Sequence, residues 1–157
     1  MDLRPVVLAV ECHADTLDML SRFLSMLGYG CRTASTVEDA ERELGRGGLS
    51  AVILEPEMHG RPVGEFLGRI APLLAPPPLI LVSAQSPVAL DDSARRLRPE
   101  AVFPKPCDLD SLAIALGKAV GAVGTTGTAE TAGPRMVRTR FPAGSHSVPP
   151  PRFPGRA

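Results

Sequence analysis

The 157-residue chain has no tryptophan and a single tyrosine, Tyr29. So few aromatic rings leave no platform on which bases could stack, and nucleic acid is not expected as a partner. No uninterrupted apolar run approaches the ~20 residues that a bilayer span requires. The first residues, Met1 to Glu11, lack the long apolar stretch of a secretory leader. Membrane insertion is therefore not expected. Cysteine is scarce too: Cys12, Cys31 and Cys107 are odd in number and form no paired C-x-x-C spacing. That pattern speaks against a disulfide framework and predicts free thiols in a cytoplasmic protein.

Net charge is also missing, but its zero hides an uneven distribution. Residues 1–124 hold sixteen acidic and twelve basic residues, a balance of −4. Residues 125–157 hold Glu130 against Arg135, Arg138, Arg140, Arg152 and Arg156, a balance of +4. This second segment is rich in Gly, Thr, Ala and Pro and has no periodicity from which a core could be built. It reads as a disordered, solvated basic tail following one domain over residues 1–124. Its arginines could meet acidic partners, anionic surfaces or the acidic body of the same chain. Pro151 to Pro154 fits a P-x-x-P pattern, which such a tail produces freely.

What the chain does contain is short apolar runs at even intervals. Val6–Val10, Ala51–Leu54 and Leu79–Val82 are the continuous runs of strands buried on both faces. Residues 31–34 form a weaker strand and Ala101–Phe103 a short one. Between them lie helical patterns. Leu17, Leu20, Leu24 and Leu27 recur at helical spacing behind a cap at Asp15, and Gly28 ends the run. Ser35 with Glu38 makes a capping box for a polar helix through Leu44. Further helices are predicted over residues 64–74, over 87–97 with a thin apolar face, and from a cap at Asp108 onward. Five strands alternating with five helices predict an α/β fold, a five-stranded doubly wound parallel sheet. Ligands of such sheets bind beyond the carboxyl ends of the strands. Glu11, Cys12, Glu55, Ser83 and Lys105 each follow an apolar strand at that edge.

The runs Val6–Glu11, Ala51–Gly60, Leu79–Ala84 and Phe103–Leu112 resemble, in order, the conserved segments of response-regulator receiver domains, the CheY-like superfamily. The intervals of 43 residues from Cys12 to Glu55, 28 to Ser83 and 22 to Lys105 are similar to the family's own. The resemblance spans residues 5–120 and implies a flavodoxin-like strand order 2-1-3-4-5. It also implies an acidic pair at positions 11 and 12, a phosphoacceptor at 55, and a hydroxyl and an ammonium at 83 and 105 that grip the phosphoryl oxygens.

Against that pattern the chain is degenerate, a pseudo-receiver. The acceptor position holds Glu55 in place of aspartate, and the second acid of the pair is Cys12. Family members use the aspartate as nucleophile toward a phosphodonor with Mg²⁺ neutralising the phosphoryl oxygens. Glutamate is longer by one C–C bond of about 1.5 Å, and a misplacement of about 1 Å can cost ~10²-fold in rate. Thiolate is a soft ligand ill matched to Mg²⁺. The metal positions implied by the resemblance, Glu11, Cys12, Glu55 and Glu57, are thus expected to bind Mg²⁺ weakly or not at all, and no other cofactor is expected. Lys105 is expected to pair with Glu55 or Glu11 instead. The family's switch aromatic is replaced by Val102, with Phe103 on the opposite face of its strand.

The expected function is that of an atypical, single-domain response regulator in two-component or phosphorelay signalling. It would act as a phosphorylation-independent interaction module and not as an enzyme. A histidine kinase, a downstream signalling protein or a second copy would dock on the fourth helix, fifth strand and fifth helix, residues 87–120. Two alternatives stay open: a phosphoacceptor of unusual chemistry, and a metal or redox sensor using Cys12. For the metal, Cys12, His13, Glu55, Glu57 and His59 could converge at one end of the sheet, although no ligand spacing is diagnostic. Glu11 and Glu57 as general acid–base groups have no legible nucleophile beside them.

Overall fold

A computed structural model describes residues 4–63 and 76–123, with side chains to residue 121. The helix predicted over 64–74 and the basic tail predicted over 125–157 lie outside the described residues. Within them the chain alternates as the apolar runs require. Strand β1 is Val6–Val10, helix α1 Ala14–Met26, strand β2 Gly30–Ala34, helix α2 Val37–Gly45 and strand β3 Ala51–Leu54. A small hairpin follows, β4 at Glu57–Met58 and β5 at Arg61–Pro62. Strand β6 is Leu79–Ser83, helix α3 Pro87–Leu97, strand β7 Ala101–Pro104 and helix α4 Leu109–Val123.

The main sheet is parallel, in the order β2-β1-β3-β6-β7. In sequence order of its own five strands this is 2-1-3-4-5, the doubly wound flavodoxin-like arrangement. Side chains alternate across the pleat, so each strand feeds two cores. Val7, Ala9, Ile53, Ile80, Val82 and Phe103 pack under Leu20 and Leu24 of α1 and Leu112 and Leu116 of α4. Leu8, Val10, Val52, Leu54 and Leu81 pack on the other face with Ala40 and Leu44 of α2, Leu90 of α3 and Met58. Phe103 thus faces away from Val102, which packs against the other core, as do Ala94 and Leu97 of α3.

Two helix starts differ from the expected ones. Helix α1 begins after His13, which has no side-chain cap bond, and Asp15 sits in the first turn instead. Its carboxylate there still faces the positive end of the helix dipole. Helix α2 is capped by Thr36, whose hydroxyl accepts from the Asp39 N–H at 3.1 Å. Ser35–Glu38 and Thr36–Asp39 are two cap-competent pairs one residue apart, and the structure uses the second. Asp108 does cap α4, accepting from the Ser111 N–H at 3.0 Å. The hairpin was not anticipated. Its turn residues His59 and Gly60 both have positive φ, 50° and 71°, as a two-residue hairpin turn of the primed type requires.

Candidate functional site

The backbone places four polar residues on one edge. Hydrogen bonds of the ladder continue one residue beyond the strands: the Glu11 N–H donates to Ala34 O, the Glu55 N–H to Val10 O and the Lys105 N–H to Ser83 O. Glu11, Glu55 and Lys105 therefore follow β1, β3 and β7 directly, and Ser83 ends β6. All four side chains converge at the carboxyl end of the central strands. Glu11, Glu55 and Ser83 are buried, at 2%, 7% and 0% exposure.

Every oxygen of this cluster is engaged. Glu55 Oε1 accepts from the Ser83 hydroxyl at 2.6 Å and from the Glu57 N–H at 3.4 Å. Glu55 Oε2 accepts from the Ala84 N–H at 3.2 Å and lies 3.3 Å from Lys105 Nζ. Lys105 Nζ also donates to Glu11 Oε2 in a short, charge-assisted bond. Glu11 Oε1 accepts from the His13 N–H at 3.0 Å and lies 2.8 Å from His13 Nδ1. The Ser83 oxygen in turn accepts from the Gln85 N–H at 3.0 Å. Among the described residues no buried side-chain nitrogen or oxygen lacks a partner, so burial of two carboxylates is compensated.

The electrostatics follow from that compensation. Burial disfavours the ionised form of Glu11, but the Lys105 ammonium and the two His13 contacts outweigh it and hold its carboxyl below the usual range. Burial likewise works against the charged form of Lys105, and Glu11 with Glu55 raises its pKa above the ordinary lysine value. The ammonium thus bridges both carboxylates, where Lys105 was expected to take one or the other. Two carboxylates against one ammonium leave a formal charge of −1.

The remaining residues named from sequence are placed differently. Cys12 is half-buried and packs on the α2 side of the sheet, with its Sγ 3.6 Å from His13 Nδ1. The Glu57 side chain is exposed and accepts from Gln85 Nε2 at 3.3 Å, away from the carboxylate pair. Sequence reasoning missed Gln85. Its side chain joins Glu57 to Ser93 of α3, whose hydroxyl donates to Gln85 Oε1 at 3.1 Å. Only its place two residues after Ser83 signalled a role.

Mg²⁺ does not suit this donor set. The position between Glu11 and Glu55 that a cation would share is spanned by the Lys105 ammonium, and sulfur stands at position 12 where a hard ion needs oxygen. Chemically, the edge is a buried carboxylate held by one hydroxyl, two backbone N–H groups and one ammonium.

No family model matches the chain, and no curated protein matches its sequence. Solved structures do match. A CheY-like receiver domain protein of Methanospirillum hungatei JF-1 aligns over 79% of this chain and 99% of its own, with a TM-score of 0.71 and 15% identity. A response regulator receiver domain protein of Clostridium thermocellum aligns over 76% and 97%, with a TM-score of 0.68 and 17% identity. The response regulator TrrA of Thermotoga maritima, in complex with Mg²⁺ and BeF, aligns over 73% and 98%, with a TM-score of 0.64 and 26% identity. The structures similar to this chain are consistently response-regulator receiver domains, and they establish a CheY-like fold.

Proposed function

We propose that this chain is a receiver-type module of two-component signalling that works by binding a protein partner, without accepting a phosphoryl group. One observation carries the reading. The Glu55 carboxylate already makes the contacts to Ser83 and Lys105 that the receiver resemblance assigns to a phosphoryl group, and it accepts from the Ala84 N–H as well. A nucleophile must present a free oxygen to an incoming phosphorus. Both oxygens of Glu55 are committed, one to a 2.6 Å hydroxyl bond and one to an N–H and an ammonium. Glu55 bears one negative charge, whereas a phosphoryl group bears about two, so it fills the site without reproducing its full charge. Val102 in the position of the switch aromatic fits a module whose state is fixed rather than toggled.

The partner would be a histidine kinase, a downstream signalling protein or a second copy of the chain. It would dock on the face of α3, β7 and α4, where Val88 and Ile114 are exposed apolar side chains. An exposed aliphatic residue on each helix, amid Arg95, Arg96 and Lys118, suits a surface that is covered on binding. The proposed role is non-enzymatic, with Mg²⁺ bound weakly at most.

Incubation with acetyl phosphate and Mg²⁺ followed by intact-mass measurement tests this reading. The expected spectrum shows the unmodified mass alone. A gain of one phosphoryl group, lost on mild alkaline treatment as an acyl phosphate would be, overturns it.

A further inference from the structure

We propose that Glu11, Cys12 and His13 form a binding site for one borderline-soft divalent ion of the Zn²⁺ class, which shares positions 11 and 12 with the Mg²⁺ site that the receiver resemblance implies but takes His13 as its third ligand. Among the described residues this is the one group of three His, Cys, Asp or Glu side chains whose ligand atoms converge, all within 4.8 Å of one another. The tip that carries them turns from β1 into α1, and its backbone is held by the His13 N–H bond to Glu11 Oε1 at 3.0 Å.

The two separations that involve His13 suit a tetrahedral ion, and the Glu11 oxygen and Cys12 sulfur lie within 4.8 Å of each other. Zn–S bonds of about 2.3 Å and Zn–N bonds of about 2.05 Å at a tetrahedral angle put sulfur about 3.6 Å from nitrogen. Cys12 Sγ and His13 Nδ1 are 3.6 Å apart. Two ligands at about 2.05 Å lie about 3.3 Å apart, so Glu11 Oε1 and His13 Nδ1, now at 2.8 Å, need open by about half an ångström. The ion would replace their direct contact. Glu11 divides its work between its two oxygens: Oε2 stays with Lys105 while Oε1 turns to His13.

Charge and access agree with the geometry. With Cys12 as thiolate, Glu11, Glu55, Cys12 and Lys105 sum to −2, which a divalent ion neutralises. The donor set of one sulfur, one imidazole nitrogen and one carboxylate oxygen selects Zn²⁺ over Mg²⁺. The His13 side chain is 75% exposed, so the ion enters from solvent and its fourth position is open to water. This site goes beyond the partner-binding reading and stands or falls separately from it.

Co²⁺ is a visible probe for such a site. Titrated into the tag-free, metal-stripped, reduced full chain, it is expected to bind at one equivalent with tetrahedral d–d bands and a near-ultraviolet sulfur-to-cobalt charge-transfer band. Zn²⁺ should displace it, whereas millimolar Mg²⁺ should not. Cys12→Ser should abolish the charge-transfer band, and His13→Ala should weaken binding by about tenfold or more, since loss of even an outer-shell partner costs about that much. Cys31→Ser, Cys107→Ser, His59→Ala and His146→Ala should each bind as the native chain does. His13 is exposed, and serine is close in size to the half-buried Cys12 that it replaces, so circular dichroism should show both variants folded. Absence of a charge-transfer band in the native chain, or its persistence in Cys12→Ser, overturns the proposal. So does native-like affinity in His13→Ala. Neither result bears on acetyl phosphate labelling, so failure here is distinguishable from failure of the pseudo-receiver reading.

Discussion

Strands β1, β3, β6 and β7 present two different surfaces within a few residues of each other. Along their length they are apolar on both faces: Leu8, Ile53, Ile80 and Leu81 are at most 1% exposed. At their carboxyl ends the chain turns at once to Glu11, Glu55 and Ser83, which are buried almost as deeply, and to the half-buried Lys105. The interior is held by area removed from water, a term without direction that many sequences could supply. The edge is held by directed bonds among four residues from four strand ends, each indispensable to the others. Removing one partner there leaves a desolvated charge, whereas removing one methyl group in the interior leaves a cavity.

The largest expected effect breaks the edge's closed pairing on purpose. Glu55→Asp shortens the carboxylate, which withdraws it from Ser83 Oγ and the Ala84 N–H and opens a space in front of an oxygen. Cys12→Asp supplies a hard oxygen ligand. The double variant is expected to take up one phosphoryl group from acetyl phosphate in a Mg²⁺-dependent manner, where the native chain takes up none. Each single variant should label less than the pair, because nucleophile and metal act as a unit. Intact mass reads the result. A folded double variant that stays unlabelled would show that positions 12 and 55 are not the decisive lesions.

Two stability measurements set interior against edge. Leu8→Ala removes a fully buried side chain from the face shared with α2 and should cost about 3 kcal/mol in urea unfolding. Lys105→Met leaves Glu11 and Glu55 facing each other without a counter-charge. A fully buried pair broken in this way costs 3–5 kcal/mol, but the Lys105 side chain is 21% exposed, so about 2 kcal/mol is expected. The two losses should differ in their response to acid. The pKa of Glu11 is lowered by folding, so its contribution is present above the unfolded value of about 4.3 and is lost as pH falls through the lower folded value. The pKa of Lys105 is raised, so its contribution is complete below about 10.4 and is lost as pH rises through the higher folded value. Stability should therefore form a plateau between these limits in the native chain. In Lys105→Met the acid limb should move upward in pH, while Leu8→Ala lowers the whole curve without moving it. An acid limb unchanged in Lys105→Met would mean that the ammonium does not hold Glu11 ionised.

The contrast between interior and edge also explains what the sequence made legible. Apolar runs marked β1, β3 and β6, because strands buried on both faces tolerate little else, whereas β2 at the sheet's edge, with Arg32 and Thr33, gave only a weak signal. The alternation that sets Phe103 opposite Val102 is a consequence of the pleat alone. Cap choice was less legible: Ser35–Glu38 and Thr36–Asp39 satisfy the same chemistry one residue apart, and only tertiary placement of α2 decides between them. The hairpin at residues 57–62 was hidden because Pro62 and a two-residue strand carry almost no periodic signal. At the edge, spacing gave the identity of Glu11, Glu55, Ser83 and Lys105. It left open which carboxylate Lys105 meets, because a lysine stem reaches either, and the structure shows both. Gln85 was missed because, its place after Ser83 aside, a glutamine in a strand-to-helix loop has no distinctive pattern.

The smallest expected effect concerns the third surface, the outer face of α3, β7 and α4, where neither cavity nor buried charge is at stake. Arg95 is exposed and its nearest acid, Asp92, lies 3.7 Å away on the same helix; Lys118 is exposed on α4. Exposed pairs of this kind contribute about 0–1 kcal/mol, so Arg95→Glu and Lys118→Glu should change unfolding free energy by no more than about 0.5 kcal/mol. Partner binding should respond differently. Reversing one charge on a docking face slows encounter with a complementary surface and steepens the loss at low salt, where screening is weakest. Self-association, measured by analytical ultracentrifugation, or binding to a histidine kinase captured from the same cells, should therefore weaken in both variants while their melting curves overlay the native one. Val88→Asp and Ile114→Asp extend the test to the apolar contacts and should weaken binding further at all salt concentrations. If none of the four alters binding while the fold stays intact, the partner uses another face, and the exposed side chains of α3 and α4 are ordinary surface.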